Sequence, residues 1–263
     1  MLAQLPHPMI FAHRGASAHA PENTIAAFQL AVQQGADGIE LDVALCADGQ
    51  VMVIHDQTVD RTTQGSGRVR EMSLDELRCL DAGSHFDIAF QGEPIPTLDQ
   101  VFEAVGHKTF INIELKNIRS PLDDLPEKVV ALVRRHGMTD RVLVSSFMPW
   151  SLRRLHRLRP EIPVGLLAYR GLAGAWARGW LGKALVPYQS LHIYLDDVND
   201  RLIERVHEED RKAFVFTVNQ ASDMFRLFDN GVDGIFTNDP MLARRVVDSI
   251  RESKSHRSVR HKE

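Results

Sequence analysis

The chain has 263 residues, 44% of them apolar and 25% charged, a balance that fits one large globular domain or two small ones and argues against wholesale disorder. A net charge of −4 speaks against a general nucleic-acid binder, which needs a basic stripe, so any ligand has to be read by a local site. Two cysteines without CxxC spacing, Cys46 and Cys79, give no basis for a disulfide framework or a cysteine zinc site; with no signal-peptide pattern in Met1–Ile10 and no long apolar run, a cytoplasmic protein is the default expectation.

The first predicted strand is Met9–Ala12, closed by His13-Arg14-Gly15. A helix over Thr24–Gln34 follows, with Asn23 as its N-cap and Gly35 as its stop. In the strand Gly38–Leu45, Ile39, Leu41, Val43 and Leu45 share one face while Glu40 and Asp42 share the other. The short run Val51–Ile54, ending in His55-Asp56, is set to pair back across the Asp48-Gly49 turn. Residues 57 to 96, rich in Gly, Arg, Ser and Asp, read as an insertion holding one short helix, Leu74–Leu80, with Ser73 and Glu76 as a capping box.

After a helix over Leu98–Val105, strands are predicted at Thr109–Leu115, Val142–Ser145, Val164–Ala168, Leu191–Leu195, Ala213–Val218 and Gly234–Phe236. Helices alternate with them at Leu125–His136, Trp150–Leu158, Leu172–Leu185, Asp200–Glu209, Asp223–Asp229 and Leu242–Glu252. Eight βα units in one chain point to a closed (β/α)8 TIM barrel over residues 1–252 with a small subdomain inserted after the second strand. An open doubly wound sheet is the alternative, but its GxGxxG turn is missing. Residues 253 to 263 read as a solvated basic tail.

In such a barrel the inward face of each strand is where polar chemistry belongs. Asn112, Glu114 and Lys116 share the inward parity of the third strand, as Glu40 and Asp42 do on the second. Three converging carboxylates repel unless they share protons or hold a cation; oxygen-only ligation favours Mg²⁺, Ca²⁺ or Mn²⁺. The strands alone also allow a solvated edge strand with Glu114 and Lys116 as a structural ion pair. His13 and His55 emerge at the same edge and suit an acid–base pair, Arg14 offers a planar fork for two phosphate oxygens, and Lys116 adds a point charge. His192, on the sixth strand, is placed to enter the pocket or, as is commoner for such a histidine, to be a hydrogen-bonded core residue, and is given no role. The Leu172–Leu185 helix, with Trp176 and Trp180, suits a membrane surface less well than the barrel wall, because glycines interrupt it.

These residues resemble the glycerophosphodiester phosphodiesterase family. The resemblance runs through His13-Arg14-Gly15, Glu22-Asn23-Thr24, Glu40-Leu41-Asp42, His55-Asp56, Arg61-Thr62-Thr63, Glu114-Leu115-Lys116 and Thr217-Val218-Asn219. It implies a TIM barrel that hydrolyses small glycerophosphodiesters to sn-glycerol 3-phosphate and an alcohol. One divalent cation would sit on Glu40, Asp42 and Glu114, with His13 and His55 in acid–base roles and Arg14 and Lys116 at the phosphate. Phe216 stands where the family often has Trp, which keeps an aromatic wall at the substrate but removes an indole donor. A lysophospholipase D, or a lyase-like phospholipase that stops at a cyclic phosphate, is the runner-up activity. Neither head-group specificity nor oligomeric state is readable from the sequence.

Overall fold

Eight parallel strands close into a barrel in the computed structural model of the chain, which describes residues 2, 5–118, 120 and 122–260, apart from the side chains of residues 254–260. In chain order the strands are β1 (Met9–His13), β2 (Gly38–Leu45), β3 (Val51–Val53), β4 (Phe110–Leu115), β5 (Val142–Ser146), β6 (Val164–Leu167), β7 (Ser190–Tyr194), β8 (Lys212–Phe216) and β9 (Gly234–Thr237). They run β1-β9-β8-β7-β6-β5-β4-β2, and β1 pairs with β2 to close the ring, so the chain is a TIM barrel. The principal helices on the outside are α1 (Ile25–Gln33), α4 (Leu125–Arg135), α5 (Pro149–Leu158), α8 (Asp200–Glu208), α9 (Ala221–Asp229) and α10 (Pro240–Arg260).

The remaining strand, β3, runs antiparallel and explains how the two histidines meet. β1 pairs with the first part of β2, from Phe11 opposite Gly38 to His13 opposite Glu40. There the chain turns away through Arg14 and Gly15, both in the left-handed region at φ 58° and 82°, a conformation that costs Gly little and other residues more. A Cβ on Gly15 would also lie 2.7 Å from the Ala27 backbone. β3 then takes over as neighbour of the outer half of β2, from Val43 opposite Val53 to Leu45 opposite Val51, and Ile54 N donates to Asp42 O at 2.9 Å. His13 and His55 thus flank β2 from one side, one from each successive neighbour.

Strand parity sorts the core into two. Ile39, Leu41, Val43, Ile111, Ile113, Val142 and Val144 point outward and are buried beneath the helices. Met9, Phe11, Leu143, Phe214 and Phe236 form a separate cluster inside the barrel. There Phe11 stacks on Phe236 with ring centres 5.0 Å apart and meets Phe214 edge-on at 5.4 Å. Gly165 makes room beside them: a Cβ there would stand 2.5 Å from His192 Nε2 and 2.8 Å from Ser190 Oγ. Gly165→Ala is expected to cost about 1–3 kcal/mol by overpacking, read as a lower Tm; an unchanged Tm would show that the barrel interior yields there.

The inserted segment packs Val59, Val69 and Leu77 against Cys46, Met52 and Ile54 of the β2–β3 hairpin in a small core separate from that of the barrel. Its short helix α2 (Leu74–Arg78) carries the capping box expected from Ser73 and Glu76. It returns to the barrel through α3 (Leu98–Val101), which widens into a π turn over Phe102–Gly106 instead of continuing regularly to Val105. The α1 cap is Thr24, whose Oγ1 accepts from Ala27 N at 3.2 Å, and not Asn23, which sits at φ 57° and has another use. The single helix expected over Leu172–Leu185 is divided into α6 (Ala175–Arg178) and α7 (Trp180–Leu185), because Gly179 is extended between them. Ala177 and Gly182 of these helices are buried. α10 runs past Glu252 to Arg260; the tail's side chains from residue 254, and all of 261–263, lie outside the described residues.

Candidate active site

At the C-terminal end of the barrel lies a cavity of about 220 Å³ lined by His13, Arg14, Glu40, His55, Glu114 and Lys116 on one side. Phe147, Leu167, Tyr194 and Phe216 form the other side, over a floor that includes Asn112, His192 and Phe236. The polar wall comes from β1, β2, β4 and the end of β3, and the aromatic wall from β5 to β8. Phe216 is edge-on to Phe147 at 6.2 Å and to Tyr194 at 5.8 Å, so the rings brace one another.

Each carboxylate is oriented by a named donor. Oxygens of Glu40, Asp42 and Glu114 lie within 4.8 Å of one another, and all three residues are buried. The left-handed turn at Arg14 aims its backbone N–H at Glu40 Oε2, 2.9 Å away. Asn23 clamps Asp42 twice, donating from Nδ2 to Oδ2 at 2.9 Å and accepting from Asp42 N at 3.3 Å. Lys116 Nζ donates to Glu114 Oε1 at 2.8 Å and stands 3.5 Å from Asp42 Oδ1. The ion pair that would have served a solvated edge strand is therefore present, but inside the barrel.

Burial pushes the Glu40 carboxyl well above the usual range, and the charges of Asp42 and Glu114 push it further. Burial also raises Glu114, against the opposing pull of Lys116. Burial would raise Asp42 too, but Lys116 and Arg14 outweigh it and hold the carboxyl at about 2. Three carboxylates against Arg14 and Lys116 leave one negative charge, and two of the acids resist ionising. A hard divalent cation with oxygen ligands is the group this donor set fits.

The histidines differ in their partners. His13 Nδ1 lies 2.7 Å from Asn238 Oδ1, which only accepts, so Nδ1 carries the proton and Nε2 the lone pair. Burial, and then the Arg14 charge, lower His13 to about 4, so the ring is neutral at pH 7. His55 Nδ1 instead lies 2.6 Å from Asp56 Oδ1. The Arg61 hydrogen bond is the main influence holding Asp56 at about 2, so its carboxylate stays ionised and accepts from His55 Nδ1. His192 is fully buried yet lines the floor of the cavity, so both of its readings hold in part; Nε2 lies 3.0 Å from Ser190 Oγ, and burial lowers the ring to about 3, which leaves it neutral.

All the residues singled out from the sequence line this one cavity except Asp42, which is buried behind it. Sequence reasoning assigned no role in the site to Asn23, Asp56, Asn238, Glu22 or Arg61, although it quoted all but Asn238 as helix cap or motif residues. The first four orient a site residue directly, through hydrogen bonds reaching up to 225 positions along the chain. The available signal was their adjacency to assigned residues: Asp56 follows His55, and Asn238 follows β9.

A barrel that gathers three buried acids, two histidines, an Arg and a Lys at the C-terminal ends of its strands has the groups that phosphoryl-group hydrolysis uses. The chain belongs to the glycerophosphoryl diester phosphodiesterase family, whose pattern it matches over residues 13–242, and it is an enzyme of phosphodiester hydrolysis. It is 43% identical over 233 residues to a glycerophosphodiester phosphodiesterase of Caldanaerobacter subterraneus subsp. tengcongensis, covering 88% of this chain and 94% of that one. A phosphodiesterase of Oleispira antarctica, solved in complex with the product sn-glycerol-3-phosphate, superposes with a TM-score of 0.84 at 32% identity, over 92% of this chain and 97% of that one. A glycerophosphodiester phosphodiesterase of Agrobacterium tumefaciens gives a TM-score of 0.78 at 35% identity, over 89% of this chain and 98% of that one. Among the described residues no helix is long and apolar enough to cross a membrane.

Proposed function

We propose that this enzyme cleaves glycerophosphodiesters to sn-glycerol 3-phosphate and an alcohol, with one divalent cation, Mg²⁺, Ca²⁺ or Mn²⁺, held by Glu40, Asp42 and Glu114. The observation that carries the reading is the different pairing of the two histidines around the acidic cluster, His13 with a neutral amide and His55 with a carboxylate. When bound, the cation supplies Lewis-acid polarisation of a phosphate oxygen and offsets charge as it builds.

The chain's own residues do the rest. His13, neutral with its lone pair on Nε2, takes the proton from the glycerol 2-hydroxyl as that oxygen attacks phosphorus. His55, oriented by Asp56 through Nδ1, gives a proton to the alkoxide that leaves. Arg14 Nε makes no hydrogen bond among the described residues and stands 3.4 Å from Asp42 Oδ2, while Lys116 stands 3.5 Å from Asp42 Oδ1, so the two cations flank this carboxylate and offer their donors to a phosphate oxygen beside it. The resulting cyclic phosphate is opened by water with the histidine roles reversed, which releases sn-glycerol 3-phosphate. The aromatic wall, Phe216 included, lies against the apolar face of the glycerol. The reduced thiols Cys46 and Cys79 suit a cytoplasmic enzyme.

Purified enzyme incubated with glycerophosphocholine and glycerophosphoethanolamine is expected to release sn-glycerol 3-phosphate, to stop with EDTA and to recover with one of the three cations. Phosphorus NMR separates this outcome from accumulation of a cyclic phosphate or turnover of lysophospholipid alone. No cation-dependent release from either diester would remove the proposal.

A further inference from the structure

We propose that Arg61, a residue of the inserted segment outside the cavity lining, is a positioning residue that sets His55 and Arg14 in place together. The inference rests on the acid role given to His55 above.

The observation is a continuous chain of charged hydrogen bonds with Arg61 at its centre. Arg61 Nε donates to Asp56 Oδ2 at 2.7 Å, while its two terminal nitrogens donate to Glu22 Oε2 and Oε1, each at 2.8 Å. Asp56 uses its other oxygen for His55 Nδ1 at 2.6 Å, and Glu22 accepts from Arg14 at 3.0 Å. Two residues of the cavity's polar wall, one after β1 and one after β3, are thus tied through one guanidinium. A surface ion pair by itself contributes little to stability, and the Arg61 side chain is 47% exposed. Five side chains in series, ending on two residues of the cavity wall, are more than such a pair requires.

The geometry needs Arg. A planar fork engages Glu22 with two nitrogens and still presents Nε to Asp56; a lysine ammonium offers one point charge and serves one carboxylate at a time. The backbone that carries the fork is also anchored. Thr63 N and Oγ1 both donate to Val59 O, at 3.1 and 2.8 Å, and Val59 is buried in the small core between the insertion and the β2–β3 hairpin. The inserted subdomain thereby acts on the chemistry through a fixed strut without entering the cavity.

The test separates positioning from support of the fold. Arg61→Ala and Arg61→Lys are compared with the wild type on glycerophosphocholine, whose alkoxide needs a proton to leave, and on a p-nitrophenyl glycerophosphodiester, whose phenolate does not. Arg61→Ala is expected to lose roughly 10–100-fold in kcat on the choline ester, the range typical of groups that orient a reacting residue. On the aryl ester it should lose much less, while Arg61→Lys recovers only part of the choline-ester rate. Independently of turnover, the His55 Nδ1 proton, shifted downfield in NMR by its short bond to Asp56, should move or vanish in Arg61→Ala. Equal losses on both esters, or a folded Arg61→Ala with unchanged choline-ester rate and an unmoved His55 proton, would overturn the inference. If the wild type cleaves neither ester, the functional reading fails and the NMR result alone decides the role of Arg61.

Discussion

Glu40→Gln is expected to lower kcat by roughly 10²–10⁴-fold, the several kcal/mol that a Lewis-acid cation contributes, and to abolish the cation's effect on Tm. The second half follows from the acids. In the cation-free protein Glu40 and Glu114 have folded-state carboxyls raised above their unfolded values. The native state then binds more protons than the unfolded one once the unfolded acids ionise, so stability falls as pH rises through the raised values. Asp42, held at about 2, has already delivered its stabilisation above the unfolded value and stays constant across that window. A cation removes the repulsion, so its stabilising effect should grow with pH. Thermal unfolding with EDTA and with excess Mg²⁺ or Ca²⁺, across slightly acid to slightly basic pH, measures it. The wild type should show a cation-induced rise that is larger at higher pH, and cation-free Glu40→Gln should be more stable than the cation-free wild type at the basic end. A pH-independent cation shift, or one retained in Glu40→Gln, would contradict this account.

The two histidines should fail differently. His13→Ala removes the base for attack and is expected to cost about 10²–10⁴-fold in kcat whatever the leaving group. His55→Ala removes the acid and should cost a similar factor on an alkyl diester but far less on the p-nitrophenyl ester. The His13 value of about 4 adds a sign: the base is neutral above that pH, so protonation of its ring cannot produce a rate fall near neutrality. Any acid limb from His13 in kcat/KM should lie well below pH 6. Kinetics of both variants on the two esters decide this. Identical losses on both esters in His55→Ala would show that the two roles are not divided in this way.

Much of the architecture was legible because parity and period are local properties. Ile39, Leu41 and Val43 against Glu40 and Asp42 declare which face of β2 meets helices and which meets the cavity, and β4 repeats the pattern with Ile111 and Ile113 against Asn112 and Glu114. Element ends were less legible: β8 ends at Phe216, not at Val218, because its pairing with β7 stops there. Asn23 was misjudged for an instructive reason. An Asn before a helix suits an N-cap, but Thr24 can cap as well, and only the fold shows that Asp42 lies within reach of the Asn23 amide. Asn238 was invisible as a site residue because its partner His13 lies 225 residues away, and Arg61, though part of a quoted motif, shows its use only once the fold brings Glu22, 39 residues away, beside it.

The most direct measurement is anomalous diffraction from crystals of the wild type grown with Mn²⁺ and sn-glycerol 3-phosphate. The account expects one manganese peak bonded to oxygens of Glu40, Asp42 and Glu114, with the product phosphate on the same ion between Arg14 and Lys116. Manganese bound away from these three carboxylates, or a product phosphate seated with no ion among them, would contradict it.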